Sequence, residues 1–533
     1  MRTLSTGAAL VIGACLLALA LVQPLGVPSA AAATPPGAPD LERVDAFVRD
    51  ALEGRGVPGA ALVVVHDGHI VHARGYGRAD AGGRPVTPRT PFRIGSSTKS
   101  FTALAVMQLV EEGEVDLDAP VRRYLPWFRP ADADASARIT VADLLYQTSG
   151  IPSEANAAAL ADPTLTLEEN VRGLRGVAPD PPLGASFAYS NPNYATLGLI
   201  VEEVSGRSYA GYVRRHILDP LDMRHSFATP KSQGHGELAA GHQWFFGLPR
   251  ATPDRFIAGQ LPAGFLSASA EDMGRYLIAQ TNGGRYGDAS VLSPEGIAAL
   301  HSPGPNSGVP TNPAAGGSGG GYAMGWVNGK VHGVPAVWHN GNDSRNGSLM
   351  VISEEGWAMA LLLNSSNPLS ELEPTTHIAS GVTRLLAGKE PVPTGMPSIG
   401  WTYLVFDGVL LALSVPILAA ALRLPRWHRN LGLRRRTPAG SPWRAYLGAL
   451  RAAAEVLIAV AVLLLVPRWI GSWPLLVFGV PDLAWWLLAA AGVLILTGLA
   501  RGALLTRRAA DAGADPRGRK QRRGGAVGRT KCA

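Results

Sequence analysis

Arg93 to Gly113 reads RIGSSTKSFTALAVMQLVEEG, a polar turn running straight into an apolar stretch. Gly95, Ser96, Ser97 and Thr98 are helix-start residues, Phe101 to Val110 is almost wholly apolar, and Gly113 supplies a stop. A helix apolar nearly all round belongs in a core, so Ser96 and Lys99 are expected at the first turn of a buried helix. Residues three apart share a helix face, which brings the Ser96 hydroxyl within reach of the Lys99 amine. Burial and the positive end of the helix dipole both disfavour an ammonium there, so Lys99 is expected to have a depressed pKa and to serve as base for a serine nucleophile. Taken alone, the spacing also fits a capping serine beside a lysine that snorkels to water. The choice falls to the rest of the chain.

Outward from this stretch the segments alternate in kind. Upstream, Leu41, Val44, Phe47, Val48 and Leu52 recur at helical spacing to about Gly54, and Ala60–Val65 and His69–Ala73 form a hairpin pattern around Asp67-Gly68. Downstream, Thr140 opens a short helix over Val141–Tyr146, and Ala195–Val204 is an apolar helix ended by Gly206. The Gly/Pro/Ser-rich residues 303–321 read as a mobile surface loop. Strand patterns return at Ala336–Trp338, Gly347–Ser353 and Gly356–Leu363, and a helix over Thr375–Leu386 closes the segment. Strands at both ends with helices between predict one α+β domain whose antiparallel sheet joins its two termini.

Three short motifs follow in order: Ser96-Ser97-Thr98-Lys99, Tyr189-Ser190-Asn191 and His339-Asn340-Gly341. Together they offer what acyl transfer needs: a nucleophile, a base, a second proton carrier, an amide to hold substrate and donors for an oxyanion. With the surrounding PFRIGSSTKSFTA, LLYQTSGIP, FAYSNPNYATLG, GFLSASAEDMGRYL and VWHNGNDSRNGSLMV, residues 40–390 resemble the serine β-lactamase and penicillin-binding-protein-like hydrolases, in the class C β-lactamase and D-alanyl-D-alanine carboxypeptidase branch. The resemblance implies a β-lactamase/transpeptidase-like fold, an antiparallel sheet flanked by helices with a mainly helical subdomain. It implies Ser96 as the acylated nucleophile, Lys99 and Tyr189 as proton carriers and Asn191, His339 and Gly341 as substrate-binding residues. The backbone N–H groups of Ser96 and Asn342 would form the oxyanion hole. No metal or cofactor is implied, and the substrate would be a small molecule or a peptidoglycan-like peptide. The departure is His339, where the branch has Lys; if it meets an anionic group, it is expected to strengthen binding by protonating below about pH 6.5.

Composition divides the 533 residues further. Residues 1–33, with Arg2, an apolar run over Gly7–Val22 and small residues at Ala31 and Ala33, read as a signal peptide, and 34–39 as a linker. The formal charge of +7 sums unlike parts: residues 34–400 carry 28 Lys+Arg against 36 Asp+Glu, and residues 401–533 carry 19 against 5. The basic residues flank apolar spans, which points to membrane lipids and away from nucleic acid. Cys15 and Cys532 are the only cysteines, so the middle of the chain has neither disulfide nor thiol nucleophile.

After a linker at 391–400, transmembrane helices are expected at 401–422, 446–466 and 483–500, followed by a basic, disordered cytoplasmic tail over 501–533. Arg451 and Glu455 fall at i and i+4 and are expected to form a local ion pair. The arginine-rich loop after Leu422 predicts a cytoplasmic side there, hence an extracytoplasmic catalytic domain and an inward C-terminus. The function expected is a membrane-anchored serine hydrolase acting through an acyl-enzyme on a peptide, amide or ester. The alternative is a penicillin-binding sensor acylated at Ser96 without turnover.

Overall fold

A computed structural model describes residues 39–230, 235–310, 317–366, 373–392, 399–433, 442–470 and 473–514. The expected signal peptide, most of both linkers, Arg434–Arg436 and the tail beyond Ala514 lie outside these residues.

Helix α1 (Leu41–Arg55) starts where the Asp40 carboxylate accepts from Arg43 N and ends at Gly56, whose φ is +63°. Strands β1 (Gly59–His66) and β2 (His69–Gly77) follow as a hairpin. The central helices are α2 (Thr98–Glu111), α3 (Asn191–Ser205) and α4 (Ala270–Thr281). Then come β3 (Gly308–Val309), β4 (Gly317–Tyr322), β5 (Val327–Val331), β6 (Val334–Asn342), β7 (Gly347–Ser353), β8 (Trp357–Leu363) and helix α5 (Glu373–Leu386). The eight strands form one sheet in the order β2-β1-β8-β7-β6-β5-β4-β3. Antiparallel pairing of Ala60–His66 with Leu363–Trp357 joins the two ends of the domain, as the sequence pattern implies.

Strands β1 and β8 are apolar at successive positions because both of their faces are covered. Ala61, Val63 and Val65 point into the core shared with α2, α3 and α4, while Ala60, Leu62 and Val64 join the core beneath α1 and α5. Ala360 and Leu362 divide from Leu361 and Leu363 in the same way. The expected loop at 303–321 is corrected in part: Gly308–Val309 and Gly317–Tyr322 are strands, and 311–316 lies outside the described residues. Glycine serves close approach there, since a Cβ on Gly320 would lie 2.2 Å from Asn328 O and one on Gly321 2.3 Å from Pro303 Cβ.

Three long helices complete the chain: α6 (Ile399–Leu422), α7 (Pro442–Ile470) and α8 (Pro481–Ala514). Spans long and apolar enough to cross a membrane lie at Ile399–Trp427, which takes in all of α6 and the start of the helix after it (Leu424–Leu433), at Tyr446–Arg468 within α7 and at Pro481–Arg507 within α8. A tail disordered from residue 501 is corrected: α8 runs on to Ala514, with Arg501 buried and paired within it. The α+β domain meets this bundle through the hairpin His242–Phe245/Leu248–Ala251. Trp244 stacks on Tyr403 near the start of α6 at a centroid distance of 5.9 Å, and Phe246 N donates to Asp482 Oδ2 at the start of α8.

Candidate active site

Ser96 stands in a 3₁₀ turn (Gly95–Ser97) that leads directly into α2, one step before the helix turn the sequence pattern suggests. The turn is pinned from three sides. Gly95 has φ +52°, and a Cβ there would lie 2.5 Å from Asn342 N, so the turn presses against the end of β6. A Cβ on Gly341 would lie 2.0 Å from Ile94 O, which accounts for glycine in His-x-Gly on packing grounds. Ser348 Oγ donates to Ile94 O at 2.7 Å and contacts Ser97 Oγ at 2.7 Å, and buried Arg93 donates to Phe265 O and Asp254. The backbone of Ser96 therefore lies beside Gly341 and Asn342.

Helix α2 then carries Lys99 into the core. Its side chain is fully buried, with Nζ 2.6 Å from Ala263 O, 2.7 Å from Asn191 Oδ1 and 3.1 Å from Ser96 Oγ. The Tyr189 hydroxyl donates to Ser96 Oγ at 2.7 Å, and the Tyr189 ring lies 4.8 Å from Nζ. Among the described residues Lys99 has no ion-pair carboxylate, so loss of hydration pushes its pKa well below the ordinary 10.5. A neutral amine has two N–H groups and one lone pair. Ala263 O and Asn191 Oδ1 can only accept, so in the neutral form they would take the two hydrogens and the lone pair would face the Ser96 hydroxyl.

Tyr189 and Asn191 owe their positions to a network that the sequence motifs did not reveal. Gln147, held at φ +61°, accepts through Oε1 from Ser190 N at 3.0 Å and Asn193 Nδ2 at 2.7 Å. Ser149 Oγ donates to Asn193 Oδ1, so the LLYQTSGIP stretch buttresses the Tyr-Ser-Asn loop. Ala263 was equally hidden, because its part is a backbone carbonyl.

His339 corrects the expectation of a titratable cation. It lies within β6, 3% exposed, with Nδ1 2.6 Å from Asn340 O and Nε2 3.1 Å from the Tyr322 hydroxyl. A carbonyl can only accept, so the hydrogen is on Nδ1 and Nε2 accepts from Tyr322. Burial, reinforced by nearby Lys99, pushes the pKa down to about 3, and the ring is neutral at pH 6.5. Tyr322, which places this ring, ends a strand that the sequence read as loop. The structure thus brings Ser96, Lys99, Tyr189 and Asn191 into direct contact, sets Gly341 and Asn342 against the turn, and holds His339 on Tyr322.

The Beta-lactamase family profile matches residues 44–382. Protein flp of Staphylococcus aureus (strain MW2) is 30% identical over 243 residues, covering 45% of this chain and 49% of that protein, so the chain spans about half the length of this relative. Esterase EstB of Burkholderia gladioli is 34% identical over 274 residues, covering 44% of this chain and 69% of EstB. The structure of the octameric penicillin-binding protein homologue from Pyrococcus abyssi superposes with a TM-score of 0.56 at 32% identity, covering 66% of this chain and 78% of that one.

Proposed function

Because the chain belongs to the beta-lactamase family, we propose that it is a membrane-anchored, extracytoplasmic serine hydrolase acting through an acyl-enzyme on a peptide, amide or ester. The observation that carries this is the buried Lys99 amine, whose one hydrogen-bond contact among the described residues able to give up a proton is the Ser96 hydroxyl. Ser96 Oγ attacks the substrate carbonyl while its proton passes to Lys99. The oxyanion would be met by the N–H groups of Ser96 and Asn342, a reading supported by the close approach of the Gly95 turn to the Asn342 end of β6. Collapse expels the leaving group, which receives a proton through Tyr189, and water then attacks the ester by the reverse proton path. Asn191 holds the Lys99 amine through Oδ1, leaving its amide N–H₂ for a substrate carbonyl. The esterase activity named for EstB favours esters among the substrates to try first.

A serine-directed fluorophosphonate should label the protein and should not label Ser96→Ala, with intact mass as the readout. Equal labelling of both would remove Ser96 from the chemistry.

A second reading, a sensor acylated once without turnover, draws on one chain of contacts. Arg345 O, just beyond the Asn342 end of β6, accepts from His242 N at 3.1 Å, and the same hairpin carries Trp244 to Tyr403. Multiple turnovers per labelled serine would dismiss it.

The docking of that hairpin supports the proposed topology. Tyr403 and Asp482 sit at the starts of α6 and α8, so both starts face the catalytic domain and Arg423 and Arg426, beyond the far end of α6, lie toward the other side. Three crossings are consistent with this. With Cys532 replaced, an impermeant thiol reagent on intact cells should label a cysteine at Ser472 and spare those at Ser441 and Ala512. Labelling at Ala512 would mean an even number of crossings.

A further inference from the structure

At the end of the helix bundle remote from the catalytic domain lies a cavity of about 540 Å³ lined by Arg423, Arg426, Arg451, Arg501 and Trp427 together with Pro416 and two alanines. Arg501 is buried, lies 5.0 Å over the Trp427 ring, and forks onto Glu455 through Nε at 3.2 Å and Nη2 at 3.1 Å. Arg451 Nε reaches the same carboxylate at 3.1 Å. One carboxylate therefore serves two of the four guanidiniums. Among the described residues none lies within ion-pair distance of Arg423 or Arg426, both of which are exposed.

Depth identifies the medium. Asp482 and Arg501 are separated by about 28 Å along α8 at 1.5 Å per residue, close to the thickness of a bilayer's hydrocarbon core. With Asp482 at the catalytic face, the arginines fall at the headgroup level of the opposite leaflet. Exposed Leu418 and Leu422 on α6 and exposed Leu450 on α7 lie within a few residues of them, so acyl chains run beside the same opening. A guanidinium fork matches two oxygens of a phosphate, and four arginines with one glutamate favour a net negative headgroup over a zwitterion.

We propose that this cavity binds the phosphate headgroup of an anionic lipid in the leaflet opposite the catalytic domain. The inference rests on the membrane reading of α6 to α8. Recovery of the full-length protein from the soluble fraction would fail that reading, whereas the experiment below fails this one. Full-length protein, extracted from membranes in detergent, would be titrated with phosphatidylglycerol, phosphatidylethanolamine and inorganic phosphate and read by native mass spectrometry. Phosphatidylglycerol should bind at least roughly tenfold more tightly than phosphatidylethanolamine, and Arg423→Gln/Arg426→Gln should lose roughly 30-fold, the effect of two basic residues near a lipid surface. That double variant leaves the Arg501–Glu455 pair intact, so folding is not at stake, and Ser96 labelling checks it. Equal binding of the two lipids, an unaffected double variant, or inorganic phosphate binding as tightly as phosphatidylglycerol would each overturn the assignment.

Discussion

Lys99 and Arg501 are both buried cationic side chains, and the molecule treats them in opposite ways. Lys99 is surrounded by a carbonyl, an amide oxygen and a hydroxyl, with tyrosine rings on its flank and no ion-pair partner among the described residues. Arg501 has a buried carboxylate in bidentate contact and an indole beneath it. A lysine can shed its proton when water is withdrawn; an arginine cannot, so its burial requires an anion. The first arrangement yields a base next to a hydroxyl. The second yields a fixed charge between helices.

The widest break in this contrast comes from exchanging the two kinds of cation. Lys99→Arg places a fixed positive charge near Ser96 and supplies no lone pair, so hydrolysis should fall by roughly 10²–10⁴-fold, the range for a lost proton carrier. If the site needed only a cation, the rate would stay near that of the wild type. For the wild type, kcat/KM should rise with pH as Lys99 deprotonates and level off above a pKa well below 10.5.

The membrane counterpart is read by stability. Glu455→Ala leaves Arg501 buried and unpaired, which should cost about 3–5 kcal/mol and lower the thermal midpoint in detergent, while Ser96 labelling of the folded fraction is retained. Arg451→Ala should cost at most about 1 kcal/mol, because its side chain is 59% exposed and solvent already screens the pair. Equal losses from both would mean that Glu455 and Arg501 are not the buried unit.

These two regions also differ in how far a sequence can reveal them. Ser96 and Lys99 are three apart, and local geometry alone brings them together. Tyr189 and Asn191 were reachable because their motif occurs in order with the others. Arg501 is 46 residues from Glu455, so spacing pointed to Arg451, four residues before Glu455, and the more deeply buried partner was placed in a tail. Tyr322 was lost for a different reason: a glycine-rich run carries turn statistics, yet its glycines here admit neighbouring backbone into a sheet. Gln147 and Ala263 act through hydrogen bonds to residues more than 40 positions away, which no periodicity encodes.

The smallest expected effect concerns His339, a buried base that, like Lys99, has no carboxylate among the described residues to hold its proton. Its Nδ1–H is committed to Asn340 O and its Nε2 to the Tyr322 hydroxyl, and its pKa lies near 3 against an ordinary 6.5. Between those values the unfolded chain binds a proton that the folded chain refuses. His339 therefore contributes stability in full above pH 6.5, and that contribution is lost as the pH falls from 6.5 toward 3. Binding should show no matching change. From pH 7 to pH 5 the ratio of KM for a carboxylate-bearing ester to that for its neutral analogue should shift by less than about twofold, once substrate ionisation is accounted for. A severalfold tightening of the anionic ester at pH 5, abolished in His339→Gln, would put a charged imidazole in the site and make His339 resemble Arg501 more than Lys99.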